Sequence, residues 1–202
     1  LPIYWLPLWQ MSSQAFRSTV RAFLDVFPEA TLWAVNLDPA RPLAGLLGSP
    51  AGIVPTADPV GLGQRIARVN AGSSELHALN LDSAEGVLSY AVCGPSALDR
   101  MAGDAPPSTD DLAYAEFQSS GREHANPGPE NLALLATFWT TDNLFSRSRF
   151  QGRERKDGTT SVGQKRNARH ELAKINLALA DSIEQGWSVQ RIWPFVERLS
   201  DL

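Results

Sequence analysis

The apolar positions of the first fifty residues form three patterns in turn. Leu1 to Trp9, "LPIYWLPLW", is an apolar run carrying two prolines. The prolines argue against a helix, so the run reads as a buried strand or strand end followed by a loop. Phe16, Val20, Phe23, Leu24 and Phe27 then recur at helical spacing, the stripe of an amphipathic helix. Arg17, Arg21 and Asp25 fall on its other face. Ser12 or Ser13 supplies an N-cap, and Met11 and Phe16 have the spacing of a hydrophobic staple. Pro28 stops the helix. Thr31 to Val35 is a β-rich run, "NLDPARP" is turn-rich, and Leu43 to Ser49 is a second apolar run. The expected order is strand, helix, strand, turn, strand, and the closing hairpin requires at least one antiparallel strand.

Further along, the pattern is uneven. Residues 58–69 predict a short helix, and 73–92 fit another helix or a strand. Residues 103–120 read as a loop leading into an extended piece, Ala113 to Phe117. From residue 130 to 145 the chain is strongly helical, and 163–186 predicts a second long helix striped by Leu172, Ile175, Leu179 and Ile183, with Gly186 at C′. A last short helix, kinked at Pro194, closes the sequence. Between the long helices, residues 146–169 form a polar, Gly-containing, basic loop or lead-in; Arg147 to Arg169 holds eight basic and two acidic residues. This divides the chain into an α/β part, residues 1–120, and a helical tail, residues 121–202.

Composition narrows the class. With 43% hydrophobic and 20% charged residues, the 202-residue chain falls in the ordinary globular range. A formal net charge of −4 gives no global reason to expect nucleic acid as a partner. Cys93 is the single cysteine, which excludes an internal disulfide and a cysteine-based metal site and fits a reducing compartment. The apolar opening is shorter than the roughly 20 residues a bilayer span needs and lacks the flanks of a signal peptide. A strand there needs sheet neighbours, so part of the domain is expected upstream.

Candidate chemistry is sparse. "GLGQRI" (61–66) contains Gly-x-Gly, but no strand abuts it, so it reads as a helix lead-in rather than a phosphate turn. His77, His124 and His170 have no metal-type spacing, and "RHEL" (169–172) reads as helix surface. Cys93 reads as a core residue. Asp110 and Asp111, adjacent carboxylates after a Pro-Pro loop, suit binding a cationic amine, acting as a base, or turn capping. The basic segment, with Phe150 interleaved, lacks a groove-reading fold and reads as a solvated loop. Trp5 and Trp9 suit a ligand pocket, an interface or the core.

More specific is a resemblance. "WLPLWQMSSQAFRSTVRAFLDVFPEATLWAV", "LAGLLGSP" and "STDDLAYAEF" together resemble the C-terminal half of the spermidine synthase (polyamine aminopropyltransferase) family, nearest to the bacterial branch fused to a membrane-transporter-like region. The resemblance covers residues 1–120. It implies a class I methyltransferase-like Rossmann sheet, of which this chain has the strand, helix and antiparallel hairpin, followed by the helical tail. It implies transfer of an aminopropyl group from decarboxylated S-adenosylmethionine to putrescine or a related amine. By that resemblance Trp5, Gln10, Asp110 and Asp111 are the substrate-binding candidates. The family's Gly-rich turn, ribose-binding acid and catalytic Asp have no counterpart here, so the chain is expected to be inactive alone. It would need the N-terminal part of the same domain as partner, with a homo-oligomer as a further one. The implied location is cytoplasmic, tethered to the inner membrane through a region outside this chain. The hairpin "LDPARPLAG" lacks the family's Tyr, and Ser108 stands where the family has Asn, so the acceptor amine stays open. A second class, a non-enzymatic interaction module using the helical tail, would be favoured by a repeated helix pair; no second copy is seen.

Overall fold

In a computed structural model, which describes residues 2–49, 59–69, 74–109, 126–139 and 161–184, the strand–helix–hairpin order is built as β1 (Ile3–Pro7), α1 (Ser13–Val26), β2 (Thr31–Asn36) and β3 (Leu43–Leu47). A fourth strand, β4 (Ala91–Cys93), joins them. The sheet order is β1-β3-β2-β4, and every neighbouring pair is antiparallel. β1 and β2 therefore run in the same direction, joined by α1, with β3 lying between them in the opposite sense. The described residues also form α2 (Pro59–Val69), α3 (Ser74–Ala78), α4 (Ala84–Leu88), α5 (Pro95–Ala102), α6 (Gly128–Phe138) and α7 (Ser161–Glu184). The fold is mixed α/β, with one four-stranded antiparallel sheet. None of these helices is long and apolar enough to cross a membrane.

α1 forms for the reasons its sequence suggests. The Ser12 hydroxyl accepts from the Ala15 N–H at 3.1 Å, filling one of the unpaired donors of the first turn. Met11 and Phe16 are both buried, as a staple requires. Phe16, Val20 and Leu24 enter the core, each contributing roughly 1.5–3 kcal/mol by burial. Arg17 and Arg21 do more than face solvent. Arg17 Nη1 donates to the Met101 carbonyl at 2.7 Å, and Arg21 pairs with Asp99 at 2.8 Å. Both guanidinium groups fasten α5 alongside α1.

The period of two along the strands separates two faces. Leu6, Ala44, Ala34, Leu46 and Leu32 are buried on the face that α1 covers. Tyr4 shares that parity and meets Phe23 of α1. The opposite face carries Trp5, Gly45 and Trp33 in register.

Two expectations need correction, and a third is resolved in detail. β1 is an edge strand rather than a buried one: Ile3, Tyr4 and Trp5 are 56%, 52% and 55% exposed, because β3 is its single strand neighbour among the described residues. Residues 74–92, read as holding a helix or a strand, hold two short helices, α3 and α4, and the start of β4. The chain turns at Asn80, which takes a positive φ of 55°; Ser83 then caps α4 by accepting from Gly86 N–H at 3.0 Å. The basic stretch is helical from Ser161 onward; residues 146–160 lie outside the described residues, as do Ala113–Phe117 and the last predicted helix. α6 ends at Phe138, and the rest of its predicted span, 140–145, also lies outside. The two tail helices pack inward. Leu132 and Leu135 of α6 and Ala173 of α7 join the core of the α/β part.

Candidate ligand groove

Sheet register creates the first concave site. Ile3 and Trp5 of β1, Gly45 and Leu47 of β3, and Trp33 and Val35 of β2 share the face turned away from α1. Leu81, Val87 and Tyr90, from the segment running through α4 to β4, close one side. Together they line an apolar groove of about 340 Å³, within the size range of small-molecule pockets. Gly45 makes this geometry: a Cβ there would sit 3.0 Å from Trp5 Cζ3, so the Trp5 indole lies across the bare backbone. Trp33 is oriented by its Nε1–H, which donates to Thr31 Oγ1 at 2.8 Å. Aromatic faces in such a groove stack on flat apolar groups and attract cations.

The predicted site residues fare differently. Trp5 lines the groove at the edge of the sheet. Gln10 does not; it is exposed in the turn after β1, where its N–H donates to the Pro7 carbonyl at 2.9 Å. Asp110 and Asp111 lie outside the described residues. The chain leading to them is fastened to the middle of α1, with Ser18 Oγ donating to the Pro106 carbonyl at 2.5 Å and Ser108 N–H donating to the Ser18 carbonyl at 3.3 Å. That is the α1 side of the sheet, opposite the groove. Trp33 was not singled out from the sequence. Its alternation with Trp5 across Gly45 needs the strand register, which spacing alone does not reveal.

The other candidates resolve as follows. Gly61 and Gly63 lie inside α2 and form no phosphate turn. Cys93 is buried in β4. His77 Nδ1 lies 2.5 Å from Asp82, and this hydrogen bond is the main cause holding the Asp82 carboxyl below its ordinary value. "RHEL" is not plain helix surface. His170 stacks on Trp139, with its Nε2 donating to the Ala136 carbonyl at 3.0 Å. Burial there, followed by the nearby Lys174, pushes its pKa below the usual 6.5. His124 lies outside the described residues, among which no three His, Cys, Asp or Glu side chains gather as a metal site.

No protein-family model, curated protein or solved structure matches this chain.

Proposed function

We propose that this chain is the C-terminal part of a spermidine synthase-like α/β domain and that it supplies the last helix and the antiparallel hairpin of a class I methyltransferase-like sheet. The observation that carries this reading is the path of β1, α1 and β2. Two strands of like direction are joined by a helix, as in a βαβ unit, and β3 returns between them antiparallel. The half-exposed β1 edge, with Ile3, Tyr4 and Trp5, supports it as a margin suited to a further strand.

The reaction would be aminopropyl transfer. The free amine of putrescine or a related acceptor attacks the carbon next to the sulfonium of decarboxylated S-adenosylmethionine. A C–N bond forms, the C–S bond breaks with its electron pair going to sulfur, and a base takes the amine proton. In this reading Trp5 offers a cation–π face to the amine at the edge of the sheet. Gln10 stands on the loop after β1, outside the apolar groove, and the segment leading to Asp110 and Asp111 is held on the α1 side of the sheet, so Trp5 is the candidate that the groove offers to the amine. The nucleoside site and the base come from residues outside this chain, and the complete protein sits in the cytoplasm or on its membrane face.

The test compares the chain of residues 1–202 with a longer protein carrying it at the C-terminal side. Equilibrium dialysis should show no decarboxylated S-adenosylmethionine bound to residues 1–202. The longer protein should form spermidine or a related polyamine by mass spectrometry, and Trp5→Ala should raise the KM for the amine about tenfold, the ~1.4 kcal/mol that a half-desolvated cation–π contact supplies. Tight binding by residues 1–202 alone, or a longer protein that binds no nucleoside sulfonium, would sink the proposal.

A further inference from the structure

A second cleft, of about 510 Å³, opens at the C-terminal end of β2. Asn36 and Asp38 line it from the strand end, Asn80 and Tyr90 from the α3–β4 segment, and Arg169 and Asn176 from α7. Its chemistry differs from that of the groove. The Arg169 guanidinium lies over the Tyr90 ring, with Cζ 3.3 Å from the centroid. Its Nε–H donates to Ser89 Oγ at 2.8 Å. Ser89 is in turn oriented by donating to the Gly86 carbonyl at 2.6 Å, and Tyr90 by donating to the Leu79 carbonyl at 2.6 Å.

One plane of the guanidinium and one of its nitrogens are thus fixed. Its Nη groups make no hydrogen bond or ion pair among the described residues. One turn earlier on α7, Lys165 donates to Asn80 Oδ1 at 2.9 Å; Asp82 feels its charge but lies beyond ion-pair distance, as do the other carboxylates among the described residues. The carboxylate lining the cleft, Asp38, has one oxygen engaged by the Ala40 N–H at 2.9 Å. Asn36 and Asn176 are turned to backbone carbonyls, those of Arg41 and Leu37. The donors left unspent are therefore cationic, and one of them is a rigid fork matched to a two-oxygen anion.

Val35 and Tyr90 line both this cleft and the apolar groove, so the two meet at the β2 side of the sheet, away from Trp5. We infer that they form one amphipathic site for a small molecule with an anionic head, a carboxylate or a phosphate, on Arg169 and Lys165, and a flat apolar body on Trp33, Val35 and Tyr90. The inference does not depend on the aminopropyl reading, whose ligands are cations.

The test uses the chain of residues 1–202 and isothermal titration with four probes: 2-naphthoate, 2-naphthyl phosphate, 2-naphthylmethylammonium and inorganic phosphate. At least one anionic naphthyl probe should bind tenfold or more tighter than the ammonium of the same ring, and whichever binds tighter identifies the head group. Naphthyl phosphate should exceed inorganic phosphate tenfold. Arg169→Gln should weaken the anionic probe at least tenfold and move the ammonium less than twofold. Val35→Ser should weaken the naphthyl anion about threefold and leave inorganic phosphate unchanged. If Arg169→Gln loosens α7 by circular dichroism, Lys165→Gln takes its place, with a threefold loss expected. Equal or tighter ammonium binding overturns the inference whatever the variants do. So does inorganic phosphate binding as well as its naphthyl ester, or anion affinity unchanged in both α7 variants. Failure of aminopropyl transfer in the longer protein leaves this result untouched.

Discussion

Asn131 provides the sharpest test of how the loop after β1 is fixed. The residue is fully buried on α6, and its amide donates to two backbone carbonyls, Leu8 at 2.8 Å and Met11 at 2.7 Å. Both carbonyls belong to the loop that carries Trp9 and Gln10 into α1. Replacement by Leu keeps the branched shape of the side chain and removes both donors. Each carbonyl left without a partner in a buried site costs about 1–3 kcal/mol, so the gross loss is about 2–6 kcal/mol. Against this, the Asn131 Oδ1 atom is itself buried and has no hydrogen-bond partner among the described residues. Removing it returns about 1–3 kcal/mol, for a net cost near 2 kcal/mol. For a chain of this size that lowers Tm by roughly 4–8 °C.

Asn131→Asp should be worse than Asn131→Leu, because a carboxylate cannot donate to a carbonyl and its charge would be buried unpaired. The assay is urea unfolding followed by circular dichroism, with the m-value checked for constancy. Wild-type stability in Asn131→Leu would refute the reasoning, since it would mean that the two carbonyls find water in the folded protein. Asn131→Asp matching Asn131→Leu would refute the claim that the amide acts as a donor.

Other consequences can be measured in the same way. A Cβ at Gly128 would sit 2.3 Å from the Pro39 carbonyl oxygen, a backbone atom that cannot swing aside, so Gly128→Ala should destabilise by about 1–3 kcal/mol in urea melts. Ser12→Ala removes the N-cap of α1 and should cost about 1 kcal/mol, read as a lower midpoint with an unchanged m-value. His170 has its pKa depressed in the folded chain, first by burial and then by Lys174. At low pH the unfolded chain therefore takes up this proton more readily. Stability should hold above about pH 6.5 and fall as pH drops below it, and the His170→Gln variant should lack that increment in a Tm-against-pH series. Gly45→Ala should displace the half-exposed Trp5 from the backbone it covers, red-shifting the tryptophan emission while lowering stability by less than about 1.5 kcal/mol.

What the sequence makes legible follows from how local each signal is. α1 carries its stripe, cap and staple between Met11 and Phe27, and all three appear in the structure. β2 and β3 are separated by a turn whose prolines and asparagine announce it, and Asn36 does close that turn, its amide donating to the Arg41 carbonyl at 2.9 Å. β4 is only three residues long and buried throughout, so it offers no alternation to read. Trp5 was visible as a pocket candidate because a tryptophan on a strand is costly to leave without a surface to cover. Its partner Trp33 and the Gly45 between them depend on pairing register, which local pattern does not encode. Arg169 lies 80 positions from the Ser89 that orients it, and in the sequence it reads as one basic residue among eight, on the surface of a helix that opens out of a basic stretch.

A common device connects these sites. The loops that follow β1 and β2 are both tied down by asparagine amides from later in the chain. Asn131 of α6 takes the carbonyls of Leu8 and Met11. Asn176 of α7 takes that of Leu37 at 3.0 Å, and at the exposed tip of the second loop Asn126, just before α6, takes that of Ala40 at 2.9 Å. Strand-end loops carry backbone carbonyls that the sheet ladder leaves unpaired, and burying them requires donors from elsewhere. Main-chain amides of a passing helix are already spent, so side-chain donors must supply the bonds, and Asn reaches them without bringing a charge into the interior. This gives α6 and α7 a role beyond covering the core. They set the positions of the two loops at the C-terminal ends of the like-directed strands β1 and β2. The cleft beside Arg169 is built from one of those loops and from α7 itself. A chain lacking residues 126–184 would therefore lose the geometry of the cleft even if its strands still paired.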